Sequence, residues 1–434
     1  MENVDQSGDK LKTYFKRVPH YLWFYLFFVW FFFMGLALTI NYYHGFVKES
    51  PYPLNSIFPV MKFGDFYGPM TEWLNFEGFG KPGFGMVYFP TAYLVLDLIL
   101  NITNYSPSAS LQLSLVIWFF GGALIIIKFL KKDGFIQTII LVSMIILSYP
   151  SLFILVTGNF EGWIGFLLLL AGVVAFQNKW TSFAICIGIA GAIKGVPFIF
   201  LLLPLFVLKY RSGIVVVLKS ITIAVAVTLF SLFVLPGGIL DKGYEGARAA
   251  ISGIRTSQEM YGDLMVNSIA SIHYGHSFLN AVHSLFGVDT LPSDFWGPIV
   301  FWSMIGTLIT LLYVQKKSGV ELWVQYLVIS SVACTAVATS TDYKLIYFTP
   351  VLLLASKCQF DDKYKISLIF LAVFAMVPKP WMYVGDDPFS NASVYLTSAT
   401  LFLIIGISSL QARAYRKKGI RRDYRASNTN LRQK

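Results

Sequence analysis

Long apolar runs broken by short polar or charged segments fill most of the chain. A helix needs about 20 apolar residues to cross a hydrocarbon core of roughly 30 Å. The first run, Tyr21–Tyr43, follows Lys10, Lys12, Lys16 and Arg17. It is too long for a signal peptide and lacks a small-residue cleavage site, so it is expected to stay as an anchor. Val87–Leu100 is interrupted by Pro90 and Asp97 and predicts a helix at the interface or tucked against the bundle. Further spans are expected at Ser110–Leu130, Ile136–Tyr149 (extending toward Val156), Gly162–Phe176, Ser182–Ile193, Val196–Leu208 and Ile214–Leu235. Pro298–Val314, Val320–Val337, Tyr343–Ala355, Ile366–Val377 and Val394–Leu410 follow. The pattern thus predicts an all-α polytopic bundle of about 12 spans. The two runs flanking Lys194 also fit one long kinked helix.

Composition agrees with the pattern. Of 434 residues, 56% are hydrophobic and 13% charged, with a mean hydropathy of +0.63. Soluble domains carry roughly 25% charged residues, so a single soluble domain, a disordered chain and a coiled coil are excluded. Cys186, Cys334 and Cys358 form no CxxC pair and no disulfide framework.

The net charge of +11 changes the picture through its distribution. With the N-terminus inside, the inner segments hold 24 basic and 8 acidic residues, and the outer segments 9 and 15. The segment from Arg413 to Lys434 alone is +8. This is the positive-inside pattern, so the excess reports orientation and a grip on anionic membrane lipids; it gives no support for nucleic-acid binding. Both termini are expected on the cytoplasmic side of the plasma membrane. Two long loops, 44–109 and 236–297, are expected outside, a length that suggests function. No internal repeat is visible, which speaks against a secondary transporter.

Candidate chemistry lies on the outer face. The first loop holds Gly64-Asp65-Phe66-Tyr67-Gly68, where a carboxylate among aromatics at the membrane surface is placed to act as a general base; an arbitrary loop aspartate is more often merely solvated. Thr157–Gly162 brings Asn159 and Glu161 to a span boundary, although Gly-Asn is also an ordinary turn. Lys194 interrupts apolar sequence and fits either a phosphate-binding cation or a snorkelling side chain. In the second loop, Arg255 offers a planar fork for phosphate, and Asn267 lies in Gly262–Ser268. His273 and His276 are spaced i,i+3 but lack a third ligand, so no metal site is expected. Asp342 and Lys344 open a span, either pairing with one another or completing a polar rim around a donor sugar. No Walker loop, dinucleotide fingerprint, HExxH or GxSxG motif is present.

The order of these pieces resembles the GT-C membrane glycosyltransferases, and within them glycosyltransferase family 87, the polyprenyl-phosphate-mannose-dependent alpha-mannosyltransferases. The matching stretches are GDFYGPM at Gly64–Met70, YFPTAYLVL at Tyr88–Leu96, GNFEGWIGFLLLLAG at Gly158–Gly172 and GIAGAIKGVPFIFLLLPL at Gly188–Leu205. VNSI at Val266–Ile269 and TSTDYKLIYFTPVLLL at Thr339–Leu354 complete the series. Asn159 stands where that family usually has glutamine, and the last stretch lacks its tryptophan and histidine.

The resemblance implies a GT-C fold, with residues 1–235 as the catalytic module, 236–297 as a large external loop, 298–410 as C-terminal transmembrane helices and 411–434 as a basic cytoplasmic tail. It implies an inverting transfer of a hexose, mannose first, from a polyprenyl-phosphate sugar to a glycan or glycolipid acceptor, without a cofactor. Asp65 would be the base, and Lys194, Arg255, Lys344 and Asn159 would hold the donor phosphate. Tyr67, Glu161, Asn267 and Asp342 are further candidates. An O-antigen-type polymerase or ligase, relying on arginine and histidine of the late loop, is the rival enzyme; a lipid-linked-glycan flippase or carrier is the rival from another class.

Overall fold

The computed structural model describes residues 20–42, 66–67, 69–70, 73, 88–131, 133–246, 248–249, 251–252, 275–286, 293–337, 340, 342–378, 383–384, 387–388 and 392–417. Helix α1 spans His20–Tyr42. Helix α2, Pro90–Ile102, starts on a proline whose missing N–H suits a first helical position. It packs on the bundle through Tyr93, Leu96, Ile99 and Leu100, all buried, as expected for the tucked helix. Helix α3, Pro107–Leu130, is capped by Ser106 Oγ, which accepts from the Ala109 amide, and carries a π-helical turn at Ile117–Gly121. Helices α4 (Phe135–Ile146) and α5 (Tyr149–Thr157) meet at a 47° bend.

Helix α6 is Glu161–Phe176 and α7 is Trp180–Ile193. Lys194, extended at φ −156°, ends α7, and α8 (Val196–Val207) begins as a 3-10 turn. Helix α9 covers Tyr210–Val234. After the second long loop come α10 (Phe278–Phe286), α11 (Ser293–Ser318), α12 (Leu322–Thr335) and α13 (342–355, 3-10 in its first half). Helix α14 (Lys363–Ala375) and helix α15 (Ala392–Lys417) complete the bundle, with a two-residue antiparallel pairing of Tyr383–Val384 and Asp387–Pro388 between them.

Among the described residues, four helices are long and apolar enough to cross a membrane: Pro107–Leu130, Tyr210–Val234, Phe295–Ser318 and Tyr395–Lys417. The bent α4–α5 pair makes a fifth if it counts as one span. Tyr21–Ala37, Pro90–Ile102, Glu161–Phe176, Trp180–Ile193, Val196–Val207 and Leu322–Thr335 are shorter apolar helical stretches of 10–17 residues, or roughly 15–26 Å at 1.5 Å per residue. The long helices bury little of their surface and present apolar side chains outward, as in Leu124, Leu218, Val225 and Trp302. Helix α12 is the opposite case, buried at every residue from Leu322 to Thr335. Lipid tails are as apolar as a protein interior, so hydrophobicity alone does not draw a helix inward; close packing and interhelical hydrogen bonds do. Tyr326 of α12 donates to the Leu168 carbonyl of α6 at 3.1 Å, and Ser330 to the Tyr347 carbonyl of α13 at 2.9 Å. Gly165 lets α6 and α13 meet, since a Cβ there would lie 2.5 Å from Ile346 Cγ1.

Polar contacts gather at the two ends of α6. At its C-terminal end, Phe176 packs on Phe129, whose ring lies under the Lys357 ammonium; Lys357 pairs with Asp133. The same layer holds buried Lys365, paired with Glu321 at 2.7 Å and Asp361 at 2.8 Å. Lys316 also lies in it by sequence, four residues after Leu312 and just before the turn into α12, and donates to the Leu208 carbonyl at 2.9 Å. Because Leu208 ends α8 in that layer while Lys194 lies in the opposite one, the chain reverses at Lys194. The long kinked helix is therefore replaced by two antiparallel helices.

Candidate functional site

The opposite end of α6 is built around Glu161, its first residue. Gly158 ends α5 in a left-handed conformation (φ 69°), which lets the chain turn directly into α6. Asn159 Oδ1 accepts from the Glu161 amide at 2.9 Å, satisfying one of the amides a helix start leaves open. A carboxylate at this position is favoured by the helix dipole, yet the Glu161 side chain is completely buried and needs partners. Lys194 Nζ donates to Oε1 at 2.7 Å, and the Tyr347 hydroxyl donates to Oε2 at 2.9 Å.

Lys194 is thus an ion-paired residue rather than a snorkelling one, with its side chain 25% exposed. Its ammonium lies 5.7 Å from the Tyr88 ring centroid and 5.4 Å from that of Tyr343, positions at which ring quadrupoles attract a cation. Tyr88 in turn packs on Phe160 at 5.0 Å, and Phe66 stacks on the same Phe160 at 6.1 Å and 14°. Tyr67 is half-buried and edge-on to Phe66 at 6.0 Å. Lys344 is buried and lies within electrostatic reach of both Lys194 and Glu161.

Asp342 does not take Lys344 as its ion-pair partner. Its Oδ2 accepts from the Tyr149 hydroxyl at 2.9 Å, and its Oδ1 lies 3.3 Å from His276 Nδ1. Of the two readings left open for Asp342 and Lys344, mutual pairing at the helix start is not what forms. The reason is geometric: in a 3-10 turn residues i and i+2 point to different sides. Asn159, Glu161, Lys194, Asp342 and Lys344 therefore belong to one buried polar centre. Asp65, Arg255 and Asn267 lie outside the described residues, as does His273.

Tyr149, Tyr347 and His276 were not among the donor-site candidates. Tyrosines are frequent in this chain, 24 in all, and nothing in the local sequence of Tyr149 or Tyr347 separates them from apolar packing residues. Among the described residues no group of three His, Cys, Asp or Glu side chains is arranged to hold a metal ion.

The long apolar helices and the largely buried polar centre define a polytopic helical membrane protein. Comparison with protein-family models, curated proteins and solved structures finds no match to this chain.

Proposed function

We propose that the protein is an inverting integral-membrane glycosyltransferase of the GT-C type. It would cross the plasma membrane about twelve times, keep both termini in the cytoplasm and work on the outer face. The observation that carries this reading is the Lys194–Glu161 ion pair at one end of the bundle, with a second lysine, Lys344, buried within electrostatic reach of both. Isolated charges at membrane depth are costly and mark functional sites. The Lys194 ammonium, whose side chain is one-quarter exposed, can turn from Glu161 toward an added anion.

In this reading the anion is the phosphate of a polyprenyl-phosphate hexose, with mannose as the first donor to test. Asp65 takes the proton of an acceptor hydroxyl, whose oxygen attacks the anomeric carbon. The C–O bond to phosphate breaks with inversion, and the polyprenyl phosphate leaves with the electron pair. Lys194 and Lys344, joined by Arg255, stabilise the charge on the leaving phosphate, with Lys194 shifting from Glu161 toward it. Asn159 holds Glu161 at the helix start, and no metal or cofactor is required by this scheme. Phe66, the residue after Asp65 in the sequence, is fixed on Phe160 beside the centre.

The test is incubation of membranes containing the full-length protein with radiolabelled polyprenyl-phosphate mannose and, separately, polyprenyl-phosphate glucose. Transfer of either label that is lost in Asp65→Asn supports the reading. Full transfer by Asp65→Asn removes Asp65 as the base, and consumption of neither label by the wild type overturns this donor class.

A further inference from the structure

His276 lies in the described part of the second long loop, directly before α10, and is fully buried. A buried imidazole in a loop must account for two ring nitrogens and its own backbone. Every one of these groups is engaged. Nδ1 lies 3.3 Å from Asp342 Oδ1, and Nε2 lies 3.0 Å from Ser340 Oγ. The backbone amide donates to the Ser340 carbonyl at 2.9 Å, and the backbone carbonyl accepts from Ser398 Oγ of α15 at 3.1 Å. One loop residue thus joins the segment before α13 to α15.

The contact leads directly to the polar centre. Asp342, held by His276, accepts from Tyr149 through its other oxygen, which ties the start of α13 to the start of α5. Lys344 and Tyr347 follow on the same 3-10 turn, and the Tyr347 hydroxyl bonds Glu161. A 3-10 turn rises about 2 Å per residue, so Tyr347 lies only about 10 Å along the axis from the anchored carboxylate. Any rotation of the turn at Asp342 is delivered to both side chains.

We propose that His276 is a positioning residue: through Asp342 it fixes the turn that carries Lys344 and Tyr347 to Glu161. The loop around His276 and the polar centre then move as one unit. Loss of the imidazole leaves Asp342 held through Tyr149 alone, which lets the turn rotate about that one bond and misplaces Lys344. The site as proposed above needs Lys344 only when negative charge collects on the leaving phosphate, so the effect falls on turnover more than on donor capture. This last step rests on the proposed function; the mechanical link does not.

Ser340, His276 and Asp342 also stand in the order of a nucleophilic relay, Oγ to Nε2 and Nδ1 to carboxylate. Ser340 is fully buried, which favours a fixed clamp over a nucleophile that must meet substrate.

The experiment uses the full-length protein in spheroplast membranes with three variants. His276→Asn keeps a donor near the Nδ1 position, His276→Gln keeps one near Nε2, and His276→Ala keeps neither. One readout is donor consumption with radiolabelled polyprenyl-phosphate mannose; the other is proteinase cleavage of the second long loop from outside. His276→Ala is expected to lower kcat about tenfold to a hundredfold with KM within about threefold, as a misplaced catalytic group does. Its loop is expected to be cut several-fold faster, and His276→Asn should rescue both properties better than His276→Gln.

Wild-type cleavage and wild-type kinetics in His276→Ala would overturn the proposal. So would equal rescue by Asn and Gln, or labelling of Ser340 by a fluorophosphonate, which would make the relay a nucleophile. If the wild type consumes no donor, the proposed function fails while the cleavage comparison still decides the link.

Discussion

Replacing Lys194 by methionine tests the polar centre most directly. Methionine keeps the aliphatic reach between the Tyr88 and Tyr343 rings but removes the ammonium that lies 2.7 Å from Glu161. The Glu161 carboxylate, which has no exposed surface, would keep the Tyr347 hydroxyl and the favourable helix start but lose its ion-pair partner, with Lys344 left only at longer electrostatic range. Breaking a buried ion pair from one side costs about 3–5 kcal/mol, mostly for the charge left behind. Lys194 is one-quarter exposed and Tyr347 still donates, so the lower end applies, about 3 kcal/mol. Lys194→Met with Glu161→Gln removes both charges and leaves an amide for Tyr347 to bond. That double variant should regain about 2 kcal/mol of the loss. The assay is unfolding of the purified protein in mixed micelles with rising SDS fraction, followed by tryptophan fluorescence. A Lys194→Met variant within about 0.5 kcal/mol of wild type would refute the reasoning, and so would a double variant whose loss equals the sum of the singles.

Other outcomes follow from neighbouring contacts. Gly165→Ala places a Cβ 2.5 Å from Ile346 Cγ1 and should cost about 1–3 kcal/mol, read in the same unfolding assay; it should also lower transfer, because Ile346 adjoins Tyr347. Lys365→Met at the other end strands Glu321 and Asp361 beside a buried position and should cost about 3 kcal/mol while donor KM stays as in wild type. Burial, and next the Glu321 carboxylate, push the Cys358 thiol well above its ordinary value. A raised pKa means less thiolate at neutral pH, so maleimide labelling of Cys358 should be slower than in the SDS-unfolded chain and still rise with pH beyond the ordinary thiol range. Tyr347→Phe removes one donor to Glu161 and should destabilise by about 1–2 kcal/mol in the micelle assay, less than Lys194→Met.

Much of the layout was legible along the chain. Most apolar runs became helices, because in lipid every backbone group must be bonded within its own segment, although the run from Ile136 breaks at Leu147–Ser148 and the last helix continues past Leu410 to Lys417. Charged residues from segments assigned to one face do meet: Lys357 finds Asp133, and Lys365 finds Glu321 and Asp361. Glu161 and Lys194, assigned to the other face, find each other. The partners themselves were not legible. Asp342 takes Tyr149 and His276, from 193 and 66 residues away, in preference to the lysine two residues on. Local spacing suggested that lysine, but the pitch of the 3-10 turn aims the two side chains apart.

The amino-acid sequence by itself determined that this is a helical membrane protein, since hydropathy acts on each segment against a common solvent. It also singled out Asn159, Glu161, Lys194, Asp342 and Lys344, because polar groups amid apolar sequence stand out without knowledge of the fold. Only the tertiary structure decided that Lys194 marks a chain reversal, that Tyr347 bonds Glu161, and that His276 joins the second long loop to the same centre. Each of these depends on which helices lie side by side. Among segments of nearly equal hydropathy that choice falls to packing contacts such as Gly165 against Ile346, which no single segment encodes.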